Sequence, residues 1–147
     1  MRAICLLKQP NNWSCHVTAW ANLFRLAGYD ILIEDLWSRI GHSGELGVAE
    51  VIGVFGCYGI RVTAFDGQPC PDGCGVLGVD LGPHGHAFTW VGSKAINPKT
   101  LEVVDVKTLD VVGGMRLDKP PEFMVQLVQE LERRDLTNDV SDGKIGG

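Results

Sequence analysis

Basic residues and histidine are both scarce in this chain, and each scarcity narrows what the protein can do. Lysine and arginine number 13 against 18 aspartates and glutamates, a formal charge of −5. That balance, with no stripe of clustered Lys or Arg, argues against non-specific nucleic-acid binding and against an anionic membrane as the natural partner. No hydrophobic run approaches the roughly 18 residues that a membrane-spanning helix requires, so no membrane insertion is expected. Met1-Arg2-Ala3-Ile4-Cys5-Leu6-Leu7 holds too short an apolar run for the core of a signal peptide. The expected compartment is therefore the cytoplasm, with the five cysteines reduced.

Other signatures are also missing. Gly41 to Gly47 is glycine-rich, but it lacks a following Lys-Ser/Thr and a preceding strand, so it is no phosphate loop. Asp66, Asp72 and Asp80 lack the spacing of a calcium loop. Cys70-Pro71-Asp72-Gly73-Cys74 supplies half of a four-ligand zinc site, which Cys57 and His84 would have to complete. The pair reads as ordinary loop thiols, with zinc or a disulfide as the alternatives. No cofactor and no metal are expected.

The composition that is present, 45% hydrophobic with 19 glycines, is that of a folded core joined by many tight turns. We read a single domain over 1–134 and a polar, glycine-rich tail over 135–147. Residues 3–7 read as a short strand or extended segment that ends at Gln9-Pro10. Apolar residues at 17, 20, 21, 24 and 27/28 predict a helix from Cys15 to Gly28, with Ser14 or Asn12 as its N-cap and Trp20 and Phe24 as core anchors. Helices are expected again over 31–40 and 48–58. The pattern then changes to short strands near 60–65, 76–81, 86–91 and 101–106, and over 108–117, where Gly113-Gly114 interrupts. A charged amphipathic helix is predicted over 122–134. This order makes the fold class α+β, with the leading helices packed on an antiparallel sheet.

The chemistry centres on Gln9 and Cys15. A cysteine at a helix start has its thiolate favoured by unpaired backbone N–H groups and by the helix dipole, and the same groups can hold an oxyanion. The competing reading is a small hydrophobe at the head of a core helix. A thiol nucleophile needs a base, and the base needs an orienting partner. His16 follows Cys15 directly and points about 100° away around the helix, which makes it a poor base. His42 falls in a helix–helix loop and His84 in a turn. His86 opens a regular strand and is our choice of base, although an exposed turn histidine is the alternative. Asn97, in the turn after that strand, is placed to orient the ring; alone, Asn-Pro is a turn former.

Three stretches, Gln9-Pro10-Asn11-Asn12-Trp13-Ser14-Cys15, Gly85-His86-Ala87-Phe88-Thr89-Trp90-Val91-Gly92 and Ile96-Asn97-Pro98, together resemble the papain-like cysteine peptidases of the C39 and C39-like group. The resemblance implies a compact papain-like fold and a Cys-His-Asn triad of Cys15, His86 and Asn97, with Gln9 as oxyanion donor. It also implies hydrolysis of a peptide or isopeptide bond in a peptide or protein substrate. Glycines near 82–92 would suit a substrate strand lying against the cleft, and a cleft lined by Trp13 and Trp90 would favour small or glycine residues at P2–P1. A second reading keeps the fold without turnover, as a binding or structural subunit with a protein assembly partner.

Overall fold

A computed structural model of the chain describes residues 5–11, 14–41, 47–57, 59–82, 85–118, 129–130 and 133. Three helices come first: α1 (Cys15–Leu26), α2 (Ile33–Ile40) and α3 (Val48–Cys57). Six strands follow: β1 (Val62–Asp66), β2 (Cys74–Asp80), β3 (Gly85–Val91), β4 (Lys94–Ile96), β5 (Val103–Asp105) and β6 (Val111–Leu117). All pair antiparallel, in the order β1-β6-β2-β3-β4-β5. The architecture is α+β. No helix among the described residues is long and apolar enough to cross a membrane.

Helix α1 is the centre of the packing. Every residue from Val17 to Leu26 is buried, so the helix is enclosed on all sides rather than along one stripe. Trp20 is 0% and Phe24 6% exposed, and Phe55 of α3 meets Trp20 edge-on with ring centroids 5.0 Å apart. Cys74, Val76, Ala87, Val91, Met115 and Leu117 face this helix from the sheet. Leu77, Val79, Phe88, Trp90, Ala95, Val106 and Val111 form a second cluster on the opposite face. The central strand β2 is therefore buried on both faces, which is why Val76 to Val79 reads as a continuous apolar run.

Several expectations change in detail. β6 runs straight through Gly113-Gly114 instead of breaking there. A Cβ on Gly114 would lie 2.4 Å from the Val76 carbonyl oxygen, and one on Gly113 would lie 2.7 Å from that of Phe65. These glycines let three strands approach; they do not end one. The short strand β4 was not expected from the sequence, because three residues after a tight turn carry too little pattern to read. Of the stretch 3–7, read as a short strand or extended segment, the described residues 5–7 are in no strand, and residues 3–4 lie outside the described residues. The helix expected over 31–40 begins at Ile33, and the strand expected over 101–106 is shortened to Val103–Asp105 before a 3-10 turn, Val106–Thr108. Of the terminal helix expected over 122–134, residues 129–130 and 133 are helical; the rest of it and the tail 135–147 lie outside the described residues.

Candidate active site

Two polar residues on the buried face of α1 position the stretch that carries Gln9. The Asn22 side chain, 0% exposed, donates to the Leu7 carbonyl at 2.9 Å and accepts the Leu7 N–H at 2.7 Å. Arg25 donates to the Cys5 carbonyl, to Asp30 at 3.0 Å and to the Ile31 carbonyl at 2.9 Å. The extended segment is thus satisfied by side chains rather than by a neighbouring strand, which accounts for its irregular path. Sequence reading missed both residues. Their signal was present as two polar interruptions in a helix whose other neighbours are apolar.

Gln9 is tied in turn to the far end of the sheet, its backbone N–H donating to the Pro98 carbonyl at 2.9 Å. Its side-chain Nε2 donates to the Asn11 carbonyl at 2.9 Å, which leaves one of the two amide hydrogens uncommitted. Its Oε1 is buried without a partner. Ser14 occupies the N-cap position, yet its hydroxyl bonds Asn11 rather than the first-turn amides. Asn12, the other cap candidate, and Trp13 lie outside the described residues.

Cys15 is the first residue of α1, half-buried, and its thiol is free. His16 is held by its own helix, because its Nε2 accepts the Trp20 indole N–H at 3.0 Å. The indole can only donate, so that nitrogen carries no proton. Helix α1 is pinned to β3 by the Thr89 hydroxyl, which donates to the Ala19 carbonyl at 2.7 Å in a buried bond. Ala19 lies one turn beyond Cys15, and Thr89 lies three residues beyond His86. This bond fixes how the helix start sits against the strand start.

Cys15 and His86 line the same groove, which encloses about 780 Å³ at the open end of the sheet, with Val48, Asp66, Gly78 and Asp80 also on its walls. His86 shares the strand parity of Phe88 and Trp90, which pack in the second cluster, while Ala87 and Val91 face α1. It enters the groove around the head of β3, where it pairs with Val79. Among the described residues no hydrogen bond joins His86 to Cys15 or to Asn97. The Asn97 Oδ1 accepts the Lys99 N–H at 2.9 Å, a local turn contact. The groove therefore gathers Cys15 and His86. Gln9 and Asn97 belong to a neighbouring pair of turns joined through Pro98.

Trp90 does not line this groove. It is 0% exposed on the opposite face, with its indole N–H bonded to the Gly92 carbonyl at 2.7 Å. Cys70 packs on the second cluster and Cys74 in the first, so the sheet separates them and no disulfide joins them. The Cys70 thiol and Asp118 hold the Arg116 guanidinium above its ordinary pKa. No group of three His, Cys, Asp or Glu suited to a metal occurs among the described residues; His42 and His84 lie outside them.

No protein-family model and no curated protein matches the chain.

Proposed function

We propose that this chain is a papain-like thiol hydrolase of the C39-like kind, cleaving a peptide or isopeptide bond. The observation that carries the reading is that Cys15, at the head of α1, and His86, at the head of β3, line one groove. In the mechanism, His86 takes the Cys15 proton and the thiolate attacks the carbonyl carbon. The tetrahedral oxyanion is held by the Cys15 N–H and by the second amide hydrogen of Gln9. The C–N bond then breaks as the His86 imidazolium protonates the leaving amine. Water, deprotonated by His86, hydrolyses the thioester and restores the thiol. Asn97 orients the ring once its amide turns from Lys99 to the imidazole.

Cys5 and Cys57 are exposed and Cys15 is half-buried, so the chain carries its own reference thiols. Under limiting iodoacetamide at neutral pH, with alkylation read by peptide mass spectrometry, Cys15 should react at least about tenfold faster than Cys57. The His86→Ala variant should lose that advantage. Labelling of Cys15 slower than Cys57, or a rate indifferent to His86, would remove the catalytic reading. That outcome would favour a papain-like module that binds without turnover. Two observations already lean that way: Asn97 is engaged by its own turn, and among the described residues no hydrogen bond joins Cys15 to His86.

A further inference from the structure

The sheet register puts an unusual row across the groove. On the face that packs against α1, the row Ala64–Met115–Val76–Thr89 lies under the helix. The next row outward is Asp66–Gly113–Gly78–Ala87. Between Asp66 at the β1 edge and Ala87 on β3, that row has no side chain at all. Asp80 follows Gly78 on the same face of β2, two residues further out. The floor is therefore bare backbone with a carboxylate at each of two margins.

The two floor glycines differ in why they are glycine, and only Gly78 leaves room for a ligand without a packing reason. Gly113 must be glycine, since its Cβ would strike the Phe65 carbonyl oxygen at 2.7 Å. Gly78 is under no such constraint. A Cβ there would have its nearest neighbours at 3.6 Å and 3.7 Å, on Gly113 and Val112, which are themselves groove residues. Its φ lies outside the left-handed range, so the fold does not demand glycine there. A side chain at 78 would stand in the groove.

The charge on the walls has one sign. Asp66 and Asp80 line the groove and, among the described residues, no Lys or Arg does. Asp80 accepts the Gly82 N–H with one oxygen, at 3.2 Å, and the other oxygen is uncommitted. The Asp66 carboxylate has no hydrogen bond or ion pair among the described residues. Val48, Ala64, Val76, Ala87 and Met115 supply apolar wall, and Cys15, His16 and His86 add to the lining at the head of α1 and β3. A long aliphatic stem ending in a cation fits such a channel, its methylenes on the apolar wall and its head at a carboxylate.

We infer that the groove selects a substrate segment carrying lysine or arginine side chains, which lies over Gly78 and Gly113 and places a cationic head at Asp66 or at Asp80. The inference rests on the catalytic reading for the word substrate; the binding itself does not require turnover.

The test uses the full-length Cys15→Ala chain and two fluorescein-labelled hexapeptides, Ala-Ala-Arg-Ala-Lys-Ala and its counterpart with Glu at both charged positions, followed by anisotropy. The basic peptide should bind roughly tenfold tighter or more, and that preference should shrink as salt screens the carboxylates. Asp66→Asn with Asp80→Asn should bring the two peptides to within about twofold of each other, since both charges are then gone. Gly78→Leu should weaken the basic peptide by filling the floor while the thermal melt stays unchanged. Three results would overturn the inference: equal binding of the two peptides, no binding of the basic one at about 1 mM, or a preference that survives the double Asn variant and so belongs to the general negative charge of the chain. If Gly78→Leu does not fold, the Asn pair decides alone. Iodoacetamide labelling of the wild-type chain reads the catalytic proposal separately, so either can fail without the other.

Discussion

Replacing Asn22 by alanine asks how firmly α1 holds the segment that leads to Gln9. The Asn22 amide is fully buried and bonds both backbone groups of Leu7, at 2.7 Å and 2.9 Å. Two such bonds contribute about 0.5–1.5 kcal/mol each, net of their exchange with water. Leu7 is half-buried, so water recovers part of the loss and the full penalty for orphaned groups does not apply. Adding the packing lost with a small side chain, the expected destabilisation is about 2–3 kcal/mol, a large share of the roughly 5–15 kcal/mol typical of a domain. Urea unfolding followed by far-UV circular dichroism should show a lower midpoint at an unchanged slope. Amide exchange at Leu7 should accelerate far more than exchange in β2 or β6, because only the former loses its acceptor. A loss below about 0.5 kcal/mol, or a Leu7 amide that stays protected, would refute the clamp.

Two further changes probe the sheet. Gly114→Ala drives a methyl to 2.4 Å from the Val76 carbonyl oxygen and against the Phe65 ring, so β6 must shift; a loss of more than about 3 kcal/mol, or no folded protein at all, is expected by thermal melting, and a neutral substitution would mean that the three strands do not approach as described. Lys94 bonds Asp105 at 2.8 Å, and this contact, aided by the charges of Lys94 and Lys107, holds the Asp105 carboxyl below its ordinary value. A carboxyl with a depressed folded-state pKa adds stability above its unfolded value, and that stability is lost as pH falls through the folded value. Lys94→Met should therefore move the Asp105 carbon chemical-shift titration upward and flatten the acid side of the stability profile, and an unmoved titration would show that the pair does not form in solution.

Much of the fold was legible because α1, α3 and the paired strands carry strong periodic or continuous apolar patterns. What escaped the sequence depended on partners far along the chain. Gly113 and Gly114 look like a break until the carbonyls of Phe65 and Val76 are placed beside them. Trp90 looks like a cleft residue until its strand proves to be covered on both faces. At the site, Cys15 at a helix start and His86 at a strand start could be read locally, and their shared groove follows from how α1 lies on β3. The Asn97–Lys99 contact is a local turn and the shared side of His86 and Phe88 is simple alternation, but which side of β3 lies under α1 depends on the packing of the whole sheet, which no local pattern encodes.

The Thr89–Ala19 bond has a consequence in time. It joins residues 70 apart in sequence, and the outer strand β1 finds its partner in β6 near the end of the described chain, Val62 opposite Leu117. Contacts of such long range form late, because loop closure must precede the energy they return. A chain still emerging from the ribosome exposes α1 and its cysteine well before β3 exists to receive them. Until then Cys15 is an ordinary thiol on an unseated helix, and His86 has not been made. Any reactivity the groove confers is thereby withheld from the nascent chain and arrives only with the finished sheet.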